Sequence, residues 1–450
     1  MSLPLQKAEK AGKSRKAASP AASKKPRRTI QLSYLEATLL FLVLILLIAL
    51  LWSTDRTHAS HVRVPNIDNF EQALPSIASL SGSTILTGNA VQVLQNGDQF
   101  FPALFADIAH AGNSIHLETY VWWKGEICDR LGRALADRAR HGVEVRVTLD
   151  AGGAFKADDH LFDMMQKAGV KVAYFHPFRL SQLGLLNSRT HRKLAIFDGK
   201  VAYVFGHGIA EEWVGHAQDA EHWRDTGVRL TGPIVNSVQA VFAQNWVDET
   251  AEVLVGERYF PPLPPVGTVR AHITASAPHG GVSQIEMIDK LAIATAQKEL
   301  IIQNPYFIPR REMVNLLVNA ARRGVRVRIM IPGPVTDSAV VRHAGHKRLQ
   351  PLLDNGVEIY EFQTTLSHQK IMIIDGTWSF VGSANFDGRS LNINDEASVG
   401  LIDRQVAAQL RDAFEADLKQ CKRFDARTWR RRSLWHRLED AVSYTFNPQL

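Results

Sequence analysis

The sequence predicts a duplicated α/β protein: two repeats, each a mixed β-sheet flanked by helices, preceded by one N-terminal transmembrane helix. Three observations predict it. RARHGVEVRV, from Arg138, and AARRGVRVRI, from Ala320, each end a helix and open a strand, with Gly142 and Gly324 at the helix stops. KAGVKVAYF and DNGVEIYEF then follow as a second matched pair. Each copy closes on His-x-Lys-x4-Asp-Gly, first as HRKLAIFDG and again as HQKIMIIDG. A chain of 450 residues, 45% of them hydrophobic, is long enough to bury a core in each copy.

The first 31 residues are rich in Ala, Ser and Pro and lack apolar periodicity, so a disordered tail is expected. Nine Lys or Arg stand there against one acid, Glu9, which accounts for the formal net charge of +7 and leaves the remainder close to neutral. The extended basic face of a nucleic-acid binder is therefore not indicated. From Leu32 to Ser53 the only ionisable side chains are Tyr34 and Glu36. At helical rise this run covers the roughly 30 Å hydrocarbon core. The basic residues before it favour a cytoplasmic N-terminus and the rest of the chain on the outer, periplasmic face. A cleaved signal peptide and an interfacial segment are the competing readings.

Residues 54–88 read as a connector, 89–259 as the first repeat, 260–267 (FPPLPPVG) as an extended Pro-rich linker, and 268–420 as the second repeat. Residues 421–450 carry arginines interleaved with Trp429, Leu434, Trp435, Leu438 and Val442, the pattern of a basic amphipathic helix. Cys128 and Cys421 are too few for a disulfide framework and match no zinc spacing.

The apolar runs Leu194 to Phe197 and Ile371 to Ile374 read as strands, so His191 with Lys193, and His368 with Lys370, share a face. Asp198 and Asp375 complete each motif, but they have the opposite parity and lead into Gly199 and Gly376. They read as braces of a hairpin turn rather than reacting groups. Two imidazoles and two ammonium groups suit substitution at a phosphodiester. Asp225, in HWRD, and Glu396, in NINDE, are candidates to orient the imidazoles. TYVWWKGE, with Tyr120, Trp122 and Trp123, and NPYFIPRRE, with Tyr306, Phe307 and Arg310, are candidate loops at a substrate mouth.

With the second motif followed by Gly382, Ser383, Asn385, Asp387, Arg389, Ser390, Asn394 and Glu396, the chain resembles the phospholipase D superfamily from about Asn89 to Cys421, and within it bacterial cardiolipin synthases. The resemblance implies a pseudo-two-fold arrangement, His191 as nucleophile, His368 as acid and base, and phosphate contacts from Ser383 and Asn385. It also implies a bacterial inner-membrane enzyme that makes cardiolipin from two phosphatidylglycerols, with no metal or other cofactor. Spacing alone leaves the nucleophile open. The first half departs from the pattern, with Gly206 opposite Ser383 and Gly208 opposite Asn385. Backbone N–H groups at Gly206 to Gly208, or His207, would then serve the phosphate. A lipid hydrolase that uses water, a nucleic-acid phosphodiesterase and a silent membrane scaffold are the alternative functions.

Overall fold

The computed structural model describes residues 33–53, 67, 69–177, 187–277 and 283–445. It divides into two units, Met1–Ser53 and Thr54–Leu450. In the first, α1 (Tyr34–Ser53) opens with a capping box, in which Glu36 N–H donates to Ser33 Oγ and Ser33 N–H to Glu36 Oε2. Its side chains are described as far as Leu46. Among the described residues no helix is long and apolar enough to cross a membrane. The expected span over 32–53 therefore rests on its sequence, and the tail over 1–31 lies outside the described residues.

In the second unit, the first half contributes β1 (Leu86–Gln95), β2 (Ser114–Thr119), β3 (Glu144–Asp150), β4 (Lys171–Phe175), β5 (Leu194–Phe197), β6 (Val201–Phe205) and β7 (Thr226–Thr231). The second contributes β8 (Val269–Ser276), β9 (Glu299–Gln303), β10 (Arg326–Pro332), β11 (Glu358–Phe362), β12 (Ile371–Ile374), β13 (Trp378–Gly382) and β14 (Glu396–Ile402), with β15 (Cys421–Arg423) added at the edge. The sheet order is β15-β11-β10-β9-β12-β13-β14-β8-β1-β7-β6-β5-β2-β3-β4. Apart from β15 it is a palindrome of equivalent strands about the antiparallel β8–β1 pair, the order that a two-fold relation between the halves requires. In each half three strands run parallel (β2, β3, β4; β9, β10, β11) and the rest antiparallel, so each sheet is mixed.

Three large cores among the described residues hold this together. One packs α3 (Asn96–His110), α4 (Glu126–Arg140) and α5 (Asp159–Lys167) on the first sheet. Its counterpart packs α7 (Gln284–Thr295), α8 (Arg311–Arg322) and α10 (Leu349–Asp354) on the second. Between the halves lie α6 (Ile234–Thr250) and α12 (Arg404–Leu418), whose Trp246, Phe242, Leu410 and Phe414 meet strands of both sheets. Strands covered on both faces read as unbroken apolar runs, as β5 and β12 do.

The expected connector is only partly one. Phe70, Leu74 and Ile77, the last two on α2 (Leu74–Ser81), are buried in the second half's core, and β1 begins inside the stretch. Apolar positions recurring three to four apart bury one helical face, and here the partner lies some 200 residues away in sequence. The linker over 260–267 carries no regular structure and is pinned where Val266 N–H donates to Gly88 O at 2.8 Å. Past β15 the expected single helix is two, α13 (Ala426–Arg430) and α14 (Leu434–Tyr444), each begun by a side-chain cap, from Asp425 and Ser433.

Candidate active site

His191 and Lys193 lie on extended chain just before β5, and His368 and Lys370 just before β12. The two approaches are exchanged. His191 N–H donates to Asp395 O at 2.8 Å, and His368 N–H donates to Arg224 O at 2.7 Å. Each motif strand therefore pairs, for one bridge, with the chain that carries the other half's carboxylate. His191 Nδ1 accordingly meets Glu396 Oε1 at 3.0 Å and Oε2 at 3.1 Å, while His368 Nδ1 meets Asp225 Oδ2 at 2.8 Å. Neither half is complete without the other.

A carboxylate on Nδ1 fixes the Nδ1–H tautomer and leaves Nε2 as the nitrogen available to the cavity. Lys370 Nζ donates to the carbonyl of His368 at 2.6 Å and lies 3.0 and 3.1 Å from Nδ1 and Nε2 of its ring, and Lys193 Nζ donates to the carbonyl of His191 at 2.9 Å. All four side chains are buried. Burial pushes His191 down to about 4 and His368 to about 3, with the neighbouring lysines adding to the shift and the carboxylates opposing it. Burial and repulsion from Lys370 bring Lys193 down to about 7, and burial brings Lys370 to about 8. Asp225 is held well below the ordinary carboxylate range: burial opposes this, but the contacts with His368 prevail. At neutral pH both imidazoles are thus unprotonated, and Asp225 faces His368 as a carboxylate.

The cavity in front of them measures ≈ 350 Å³ and is walled by Tyr120, Trp123, Trp213, Trp223 and Tyr306. Trp213 packs edge-on to His368, with ring centroids 5.2 Å apart, and Tyr120 likewise to His191 at 5.1 Å. Val121, Asp337, Val341, Asn385, Asp387, Arg389 and Asn394 also line the cavity, with His191, Lys193 and His368. Two larger hollows, of ≈ 840 and ≈ 750 Å³, have neither histidine in their walls.

Of the aromatic loops expected at the mouth, Tyr120, Trp123 and Tyr306 do line the cavity. Trp122 and Phe307 are buried in the two outer cores instead. Asp198 and Asp375 are not in the cavity. Asp198 accepts from the N–H groups of Gly112, Asn113 and Ser114, and Asp375 from those of Gln297, Lys298 and Glu299. With φ of 53° and 52°, followed by Gly199 and Gly376 at 64° and 61°, they tie a left-handed hairpin turn to the start of β2 or β9. Asp375→Ala strands three donors, so it is expected to cost about 1–3 kcal/mol in denaturant unfolding while kcat stays near that of the parent.

Ser383 Oγ donates to Glu396 Oε2, and Ser390 Oγ to Glu396 Oε1, so Ser383 sits on the orienting carboxylate and outside the cavity lining. Asn385 faces the cavity, and its Oδ1 has no hydrogen-bond partner among the described residues. His207, offered as a substitute ligand, is buried and stacks on Phe100 at 4.2 Å; it does not line the cavity.

The two glycines have a steric reason. A Cβ on Gly206 would stand 2.2 Å from Asp225 Oδ1, and one on Gly208 would stand 2.7 Å from the Trp213 ring. Trp213 Nε1–H donates to Asp225 Oδ2 at 2.9 Å and Thr226 N–H donates to Oδ1 at 2.8 Å. In the first half an indole thus supports the carboxylate that two serines support in the second. Trp213 and Trp223 were missed as site residues; their signal was the pair of glycines, which leave room for something bulky. Gly208→Asn is expected to overpack this corner by about 1–3 kcal/mol and to lower kcat, read by unfolding and initial rates.

Among the described residues, one group of His and carboxylate side chains is close enough to hold a metal ion: His343, His346 and Asp440, outside the cavity lining.

Two crossed His–carboxylate pairs about one cavity, with Lys193 in its lining and Lys370 against the His368 ring, on a duplicated mixed sheet, define a phosphodiester-substituting enzyme of the phospholipase D type. The family described as "Cardiolipin synthase, PLD-like domain" matches residues 104–246 and 290–418, and the chain belongs to that family. It is 33% identical to a cardiolipin synthase of Listeria monocytogenes over 389 residues, 86% of this chain and 80% of the relative. It is 33% identical to a probable cardiolipin synthase, YwiE, of Bacillus subtilis over 84% of this chain and 76% of that one. In fold it is similar to a phosphatidylserine synthase of Haemophilus influenzae, with a TM-score of 0.61 at 12% identity, covering 84% of this chain and 96% of that one.

Proposed function

We infer that the protein is a membrane-associated phosphatidyltransferase that makes cardiolipin from two phosphatidylglycerols and releases glycerol. The observation that carries the chemistry is the exchange of orienting carboxylates, which brings two Nε2 atoms of neutral imidazoles to one cavity. His191 Nε2 attacks phosphorus; the P–N bond forms and the P–O bond to the departing glycerol breaks, with His368 supplying its proton. A hydroxyl of the second phosphatidylglycerol then gives its proton to His368 and attacks the phosphohistidine, forming a P–O bond as the P–N bond to His191 Nε2 breaks. Lys193 and Lys370 offset the charge on the nonbridging oxygens, and Asn385 offers its amide to the same group. Ser383, with Ser390, fixes Glu396. The aromatic walls suit the apolar part of a lipid. The run over 32–53 is assigned as a single membrane span with the N-terminus cytoplasmic and the body on the outer face.

The resting state needs one more proton than its histidines hold. An anionic phosphodiester supplies the reason to take it up, because its charge raises the affinity of both imidazoles and both ammonium groups for protons. Raising pH from about 7 through about 8 strips Lys193 and then Lys370 in the free enzyme, so kcat/KM is expected to fall on the alkaline side. The limb for kcat lies at higher pH, since bound phosphate holds those protons. Coincident limbs in the two profiles would contradict this role for the lysines.

Lipid mass spectrometry after incubation of purified protein with phosphatidylglycerol tests the reading. Cardiolipin with glycerol is expected from the parent and neither from His191→Ala nor His368→Ala. Phosphatidic acid in place of cardiolipin would make it a hydrolase with the same site.

A further inference from the structure

An amphipathic helix on a protein surface ordinarily buries its apolar stripe and shows solvent its charges. α14 does the reverse. Leu434, Trp435, Leu438 and Val442 are 80%, 75%, 52% and 52% exposed, while Asp440 is 1% exposed on the side that packs against α9 (Ala339–His346). Polar contacts hold it that way round. Asp440 Oδ1 lies 3.1 Å from His343 Nδ1, its Oδ2 accepts from Arg432 Nη1 at 2.8 Å, and Arg348 donates to the Tyr444 hydroxyl.

The helix also sits beside the active site. Tyr444 packs against the small cluster of Ile308, Val341 and Ala344, as Tyr306 does, and Val341 and Tyr306 line the catalytic cavity. The first half offers a smaller match in the turn after β3. Phe155 is 72% exposed there, and the neighbouring Lys156 Nζ lies 4.1 Å above the ring of Trp123, another cavity wall. Exposed apolar side chains therefore stand on both flanks of one opening. Arg430, Arg431 and Arg437 are exposed around the larger set.

We propose that the outward face of α14, with Phe155 opposite, is an interfacial docking surface that seats the cavity mouth on an anionic phospholipid bilayer. This rests on the phospholipid reading of the cavity. Charge complementarity selects the occupant: apolar side chains rimmed by arginine suit acyl chains beneath anionic headgroups. The surface would do what a single membrane helix cannot, which is to fix the orientation of the mouth toward the lipid.

The test uses the full-length protein in vesicles of phosphatidylglycerol and phosphatidylcholine brominated along their acyl chains. An environment-sensitive fluorophore is placed at Leu438→Cys, Phe155→Cys or, as a control, Lys200→Cys in the exposed turn after β5, all in a Cys421→Ser background. Labels at 438 and 155 are expected to shift blue and be quenched by the bromines, with that at 200 unchanged. Labels at 438 and 155 that are unquenched, or shifted blue without quenching as a second protein copy would leave them, overturn the proposal. A Trp435→Ser/Leu438→Asp variant adds a kinetic arm. It is expected to lose at least ~10-fold on vesicle substrate and keep its rate on a short-chain monomeric phosphatidylglycerol; equal rates on vesicles overturn it too. Because quenching needs no turnover, loss of docking and failure of the proposed chemistry give different results.

Discussion

His191→Ala will lower transferase turnover by ~10⁴-fold or more, while the protein folds and binds vesicles as before. The size follows from the role. Without an Nε2 to take the phosphatidyl group there is no covalent route, and what remains is direct displacement in a site that can still bind substrate. The fold should survive because Glu396, left without its imidazole, keeps donors from Ser383 and Ser390. Initial rates by quantitative lipid mass spectrometry, beside circular dichroism of the same preparation, check it. A loss below ~100-fold with native structure would remove His191 from the covalent step.

The second large effect belongs to Asp225→Asn, which leaves shape nearly unchanged and removes a charge. Asp225 accepts from His368 Nδ1, Trp213 Nε1 and Thr226 N–H, so an amide there must turn its NH₂ toward at least one N–H donor. The relief open to His368 is to move its proton to Nε2, the wrong tautomer for a base acting on the acceptor hydroxyl. By analogy with other oriented imidazoles the loss is ~10²–10⁴-fold in kcat. Because Asp225 lies in the first half and His368 in the second, the defect falls on the opposite motif. A chemical-shift probe of ¹⁵N-histidine should show His368 changing tautomer and His191 unchanged. The reverse assignment, with His191 altered, would contradict the exchange of carboxylates.

Much of the fold was legible because duplication repeats its own punctuation. Gly142 and Gly324 mark the same helix stop, and the hairpins after Asp198 and Asp375 fall where Asp-Gly demands a left-handed turn. The residues proposed to react could be picked out too, since a period of two puts His and Lys on one face. Partnership was not. Position within a half says nothing about which histidine Asp225 or Glu396 serves, because that is fixed by two bridges that cross between halves, Thr190 with Asp395 and Arg224 with Ser367. Ser383 was read as a phosphate ligand for the same reason: its hydroxyl lies on Glu396 only once the turn after β13 has folded back. The orientation of α14 was hidden as well, since its periodicity gives an apolar face but not which side the protein will hold.

Transfer in this site requires a phosphatidyl group held by one histidine, in a site built by both halves. The most direct test uses a phosphatidyl p-nitrophenyl ester, whose leaving group needs no acid, with the His368→Ala variant, quenched at alkaline pH where phosphohistidine survives. A burst approaching one p-nitrophenol per protein, then near-arrest, is expected, with the phosphatidyl mass on the peptide containing His191 and no burst from His191→Ala. Steady release with no adduct on that peptide would contradict it.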